Sequence, residues 1–364
     1  MVRPVLRAVL FLLSILAATA FTISAARLVA GPRGLDPVEG ATFEYAQRIA
    51  QGRMPYLEPA RPDQPSVMPV FPLAVSVLMR ELDPQPFVPR ARALLATLLV
   101  AALVMAIVRL ETSSWTLAAA GAGFALMGSG LLAGPPGEAR SETLMLLLAT
   151  LGFLVLRLTS GAWGALAAAV LFPAAYFTDQ QAGWFMAAAG FALALDSRKR
   201  LVAFTLMAGS LTAAGYVAFS QALGPWFNFS AWDAPFAAMR FDATVLLQYV
   251  GDPLLGKLGP VTLAAVLSFA LPTPPWRGKG GLWMCMTLAA LAAGMVSTQS
   301  AGFGPHSLIP IIVVLSIAGP ISMQRVTRHL SAWPGSSRLG GQGVVIAALT
   351  LQFIVLLSCA LPIR

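Results

Sequence analysis

The chain has little charge. Of its 364 residues, 11% are Asp, Glu, Lys or Arg, less than half the roughly 25% carried by a soluble domain. That shortage excludes a water-soluble multidomain chain, and a hydrophobic share of 57% excludes a disordered one. Cysteine is nearly absent. Cys285 and Cys359 are the only two and both sit in apolar runs, where a thiol behaves as a small hydrophobe, so a disulfide scaffold is excluded. Histidine is limited to His306 and His329, too few and too separated to read as a metal centre. No glycine-rich phosphate loop, nucleophile elbow or Cys/His cluster occurs. The acids alone could hold a divalent ion, but no pattern fixes its ligands, and no cofactor is assigned.

What is present is apolar sequence in long runs. A membrane helix needs about 20 mostly apolar residues. Such runs lie near 8–28, 93–110, 115–134, 142–158, 161–178, 181–196, 201–222, 258–272, 281–299, 306–323 and 343–361. The expected fold is an all-α polytopic membrane protein with about 11 spans, one integral membrane domain over 1–364. The first run follows Arg3 and Arg7 and is long for the apolar part of a cleaved leader, so it is taken as a span.

The net charge of +9 does not point to nucleic acid, because the basic residues are dispersed rather than gathered on one helix face. Topology accounts for them. With the N-terminus cytoplasmic, the inner connections hold Arg109, Arg157, Arg198-Lys199-Arg200, Arg277, Lys279, Arg325, Arg328 and Arg338. The outer short loops hold Arg140, Arg240 and Lys257, with Arg364 at the C-terminus. Arginine and alanine usage suggests a bacterial chain, and the expected location is the inner (cytoplasmic) membrane.

Two outer connections are long, 29–92 and 223–257. The first predicts a helix over Glu39–Gln51, begun after the cap Asp36 and Pro37 and closed by Gly52. A proline-rich stretch, Pro59 to Pro72, follows, and then an apolar helix, Leu73 to Leu82, too short to span and suited to the interface. The second carries Trp226, Phe227, Phe229, Trp232 and Phe236, which fits the headgroup level. On this topology 13 of the 15 acids face outward, leaving Glu111 and Asp196 inside. Longer outer loops would produce that asymmetry, and so would carboxylate chemistry on the outer face.

Three segments carry a resemblance. Pro37, Glu39, Gly40, Ala46, Arg48, Gly52 and Tyr56 fit a P-x-E-G pattern, an amphipathic helix with A-x-R, and G-x-x-x-Y. Ala139-Arg140-Ser141-Glu142 is similar to A-R-P-D at the next outer loop, and Tyr176-Phe177-Thr178-Asp179-Gln180-Gln181-Ala182 to F-x-K-Q-x-A. Gly302-Phe303-Gly304-Pro305-His306 is a weaker fourth match. Together they resemble the GT-C superfamily of polytopic glycosyltransferases, in its mannosyltransferase and aminoarabinose-transferase-like branch, over roughly residues 1–200. The resemblance implies a donor sugar on a polyprenyl phosphate, transferred outside the membrane to a lipid, glycan or protein.

Such a transfer needs a base for the acceptor's proton and cations for the leaving phosphate. Glu39 is the candidate base and Asp36 the second, although Asp36 equally suits a helix N-cap and Glu39 a first-turn acid facing the helix dipole. Arg140 is the candidate phosphate clamp, its fork matching phosphate oxygens. Glu142 would orient acceptor or ion, or simply pair at the helix entrance. Tyr56, Asp179, Gln180, Gln181 and His306 complete the expected substrate-binding set. Asp179 is a departure, since the family pattern has lysine there. Arg48, Arg92 or Arg240 would then supply the second cation. Two other readings stay open, a transporter or lipid-handling protein without catalysis, and a degenerate homologue acting as an assembly partner. A carrier would be expected to have ionisable residues within spans, and none of the runs has one away from its ends.

Overall fold

Apolar runs become helices in a bilayer because each backbone N–H and C=O must be satisfied within its own segment. The computed structural model describes residues 2–31, 34–58, 67–81, 87–134, 138–269, 281–299, 305–331 and 338–360, which form helices and their connections. Part of the proline-rich stretch (59–66, with Asp63), Asp83, Arg277, Lys279, Gly302-Phe303-Gly304 and Arg364 lie outside the described residues.

Among the described residues, seven helices are long and apolar enough to cross a membrane. They are α1 (Val2–Ala30), α4 (Phe87–Thr112), α5 (Trp115–Leu132), α6 (Ser141–Leu158), α9 (Arg198–Ala222), α14 (Gly281–Thr298) and α15 (Ile309–Ser331), the last led by a 3₁₀ turn at Pro305–Leu308. Ala243–Lys257 and Gly259–Ser268, which meet at a 97° bend, make an eighth when the bent pair is counted as one span. The expectation of 11 spans is therefore not reached on length among the described residues. The difference lies in α7 (Ala162–Tyr176), α8 (Ala182–Asp196) and Val345–Ser358 within α16 (Arg338–Ala360). Each is helical and apolar, but the 15 residues of α7 or α8 extend only about 22 Å, against a hydrocarbon core of about 30 Å.

α15 is buried almost throughout and forms the hub of the bundle, whereas α9 is exposed along most of its length. Small residues let the helices close up, as membrane packing requires. Gly121 of α5 approaches the Ser316 carbonyl of α15, and Gly128 approaches the Ile312 side chain.

The bundle has two chemically different ends. At one, Glu111 at the end of α4 accepts from Arg157 Nε at 2.5 Å and from Trp283 Nε1 at 3.1 Å. Arg200 there donates to the carbonyls of Leu156 and Thr159 and pairs with Asp196. These are the two acids assigned inward from the sequence, each held by an arginine. The other end gathers the starts of α2 (Pro37–Ala50), α4, α6 and α8 with the 3₁₀ turn before α15.

Helix α2 begins where its cap chemistry dictates. Asp36 Oδ1 accepts from the backbone N–H groups of Val38 (2.8 Å) and Glu39 (3.0 Å), and Glu39 Oε2 accepts from the Asp36 N–H at 3.4 Å, closing a capping box. It ends at Gln51, with Gly52 in the left-handed region at φ +69°. Helix α3 (Val70–Glu81) starts three residues earlier than expected. Its Phe71, Val75 and Met79 pack with Ala46 of α2 and with Val88 and Ala93 of α4, while Val77 and Leu78 face outward.

Residues 223–257 are more ordered than the loop expected. Helices α10 (Trp226–Asn228) and α11 (Ala234–Ala238) flank a π-helical turn at Phe229–Asp233. Phe227 is buried with Tyr45, Tyr56 and Phe177, whereas Trp232 and Phe236 stack on each other at 6.1 Å and stay exposed. Helix α12 (Ala243–Tyr249) runs into the π-helical Val250–Lys257 and then bends into α13 (Gly259–Phe269). Gln352 of α16 caps that bend, donating to the Lys257 carbonyl at 2.7 Å and accepting from the Val261 N–H at 3.4 Å.

Candidate active site at the carboxylate-rich end

The segments singled out in the sequence converge. Glu39 on the first turn of α2 is 2% exposed and saturated with donors. Arg90 on the first turn of α4 donates Nε to Glu39 Oε1 at 3.1 Å and Nη2 to Oε2 at 2.9 Å. The Ala139 N–H adds a third bond to Oε1 at 2.7 Å. Arg90 Nη2 also reaches the Gly34 carbonyl at 3.1 Å. A bidentate pair with a further backbone donor is how a buried carboxylate is made tolerable.

Asp36 lies beside it with an open side, its side chain 27% exposed. Its Oδ1 caps α2, and its Oδ2 accepts from Arg140 Nη2 at 2.7 Å. Arg140 stands at the N-cap position of α6 and is 8% exposed. Its Nε and Nη2 also reach Glu138 Oε2 at 3.3 and 3.2 Å. Its Nη1 is buried and has no hydrogen-bond partner. A buried guanidinium nitrogen left without an acceptor is costly, and carboxylate and phosphate oxygens are the acceptors that suit a guanidinium. Burial raises the Glu138 carboxyl above its ordinary value, with Arg140 opposing the shift.

Glu142 on the first turn of α6 is buried, and its Oε1 lies 3.9 Å from His306 Nε2. Ser141 Oγ reaches Asp179 Oδ2 at 3.1 Å and Glu142 Oε2 at 3.5 Å. Asp179, between α7 and α8, also accepts from the Gln181 N–H at 3.0 Å. Its carboxyl is pushed up to about 7, by burial first and by the neighbouring Glu142 charge second. Gln181 Oε1 is buried without a partner, whereas Gln180 is occupied by the Ala231 carbonyl and by Met68 Sδ.

Asp36, Glu39, Arg140, Glu142, Asp179, Gln181 and His306 thus share one end of the bundle. Four expected residues are not drawn in. Arg48 pairs with Glu44 one helical turn away and stays at the surface, because the helix face that buries Glu39, Thr42 and Ala46 lies on the opposite side of α2. Arg240 has an exposed side chain, and its backbone N–H is bound to the Gln299 carbonyl. Tyr56 is a core residue. Its hydroxyl donates to the Val67 carbonyl at 2.6 Å and its ring packs on Tyr45 and Phe227, and burial raises its phenol well above the ordinary value. Arg92 turns away to the Ala74 carbonyl at 2.5 Å. Arg90, Glu138 and Ser141 are site residues that the sequence did not single out. Among the described residues no group of three His, Cys, Asp or Glu side chains is arranged to hold a metal ion.

No protein-family model matches the chain, and neither does any curated protein. Solved structures do. ArnT from Cupriavidus metallidurans in the apo state aligns with a TM-score of 0.61 at 12% identity, over 95% of this chain and 75% of that one. The same protein bound to undecaprenyl phosphate aligns at 0.53 and 13% identity, over 95% and 71%. At such identities the match is one of architecture, so the membrane helices described above adopt the ArnT-like fold that the GT-C resemblance implied.

Proposed function

We propose that the chain is a membrane glycosyltransferase that takes a sugar from a polyprenyl-phosphate donor and passes it to a lipid, glycan or protein acceptor. The observation that carries this reading is the guanidinium of Arg140. Its Nη2 holds Asp36 while its buried Nη1 has no acceptor. One planar group can therefore position a carboxylate and a leaving phosphate side by side. The ArnT structure bound to undecaprenyl phosphate supplies the ligand class.

In this reading the two carboxylates of the first loop divide the work in the reverse of the order expected from sequence. Glu39 is enclosed by Arg90 and the Ala139 N–H and anchors the loop. Asp36 keeps an open side and takes the acceptor's proton as the acceptor oxygen attacks the anomeric carbon. The electron pair of the broken carbon–oxygen bond leaves on the lipid phosphate, whose growing charge Arg140 stabilises. The unpartnered Gln181 Oε1 is an acceptor suited to a sugar hydroxyl. The acid-rich end then faces away from the cytoplasm, because the basic connections cluster at the other end.

The test is binding of undecaprenyl phosphate to the purified full-length chain in lipid nanodiscs, with mass spectrometry of envelope lipids and glycans from a deletion strain. Arg140→Lys keeps a charge but loses the fork, and it should weaken binding at least tenfold. Asp36→Asn should bind the lipid and fail to restore the missing glycan. Wild-type-like binding by the lysine variant, or full complementation by Asp36→Asn, would overturn the assignment of those residues. An envelope unchanged by deletion, together with no binding, would favour the non-catalytic readings.

A further inference from the structure

Asp179 and Glu142 are bridged by one hydroxyl, Ser141 Oγ, at 3.1 and 3.5 Å, and Asp179 accepts one further bond from the Gln181 N–H. Neither carboxylate has an arginine of its own. Arg140 spends Nε and Nη2 on Glu138 and Asp36, and the ring nearest Glu142, His306 at 3.9 Å, carries a charge only when protonated, a form its burial disfavours. The charged and titratable groups around Asp179 are Glu142 and Arg140 at the head of α6, His306 before α15, and Asp36 before α2. Two carboxylates held so close and so deeply do not both ionise without cost, so the pair holds a proton more tightly than an isolated acid would.

We infer that occupation of this site by a polyprenyl phosphate is linked to a proton held by the Glu142–Asp179 pair. The inference rests on the lipid-phosphate reading above. Where the GT-C pattern has a lysine, a cation meets the phosphate at every physiological pH. Here the same position carries an acid, which can donate an O–H to a phosphate oxygen when protonated and repels that oxygen when ionised. The Asp179 carboxyl, pushed up to about 7, is poised to change state in the physiological range. An arriving phosphate adds negative charge, raises the carboxyl further and draws in the proton. Affinity then falls as pH rises through the value of the empty site, approaching about tenfold per pH unit for one proton.

The experiment measures the Kd of undecaprenyl phosphate for the full chain in nanodiscs from pH 5.5 to 8.5. The ligand's own phosphate titrates in this range, so Asp179→Asn serves as the reference that carries the ligand's titration alone. The ratio of wild-type to Asp179→Asn Kd should be nearly constant at acid pH and climb about tenfold or more between pH 6.5 and 8.5. Glu142→Gln removes the neighbouring charge and should move the onset of that climb to lower pH. It also keeps the test alive if Asp179→Asn does not fold. Asp179→Lys should bind more tightly than wild type at pH 8.5. A ratio flat across the range, or an onset unmoved by Glu142→Gln, overturns this inference and leaves the lipid-phosphate reading standing. No binding at any pH by any variant overturns both.

Discussion

Arg90 grips Glu39 through two parallel hydrogen bonds, and both side chains are 2% exposed. The pair joins the first turn of α2 to the first turn of α4 across 51 residues of sequence. Buried pairs of this kind add little relative to apolar residues of similar volume, but losing one partner strands the other charge.

Breaking the pair from one side should therefore destabilise the protein by about 3–5 kcal/mol. Arg90→Met and Glu39→Gln should each lower the apparent melting temperature of the solubilised chain. The double variant should lose less than the sum of the two, because it leaves no unmatched charge. Strict additivity in fluorescence-monitored unfolding would show that the two side chains do not work as a unit.

Asp179 gives stability a pH dependence of definite sign. Its carboxyl stands at about 7 in the folded chain against an ordinary value of 3.8, so the folded state binds this proton more tightly than the unfolded state. The contribution is complete below about pH 4 and is lost as pH rises towards 7. Burial raises Glu138 in the same direction. Unfolding temperatures of wild type and Asp179→Asn should thus shift in favour of the variant between pH 5 and pH 8, by several degrees. A constant gap would contradict the raised carboxyl.

Tyr249 offers a test of the bent segment. Its side chain is buried against Gly294 of α14, and its hydroxyl has no hydrogen-bond partner. Removing an unsatisfied buried hydroxyl while keeping the ring relieves a desolvation cost of about 1–3 kcal/mol. Tyr249→Phe should accordingly be neutral or raise the melting temperature. Gly294→Val should lower it, since a side chain there collides with the Tyr249 ring and dislodges 243–257 from the bundle. A clear loss of stability in Tyr249→Phe would mean that the hydroxyl is engaged.

The local signals in the sequence survived folding well. Asp36-Pro37 announced the start of α2 because a cap needs nothing beyond its own three or four residues. The segments around Asp36, Arg140, Asp179 and His306 could be set on one side of the bundle by counting apolar runs. Arg90 could not be found this way. A lone arginine at the head of a span looks like a topology charge until its partner, 51 residues away, is placed beside it. Tyr56 failed for the opposite reason. It fits the motif, but packing against Tyr45 and Phe227 consumes it. The segment 243–257 looked like loop because Gly251, Pro253 and Gly256 interrupt its apolar pattern, and the π-helical winding that absorbs them is fixed by contacts with α14 and α16.

Glu39 also accepts from the Ala139 N–H, 100 residues downstream, so a single carboxylate rivets the starts of α2 and α4 to the approach to α6. That makes the Arg90 side of the site a fixed jaw. The facing side is held differently. Asp179 is tied across to α6 through the Ser141 hydroxyl, and otherwise by a bond within its own turn. On the lipid-phosphate reading proposed above, room for a head group would be set from this more lightly tied side, where Asp179 stands in place of a lysine.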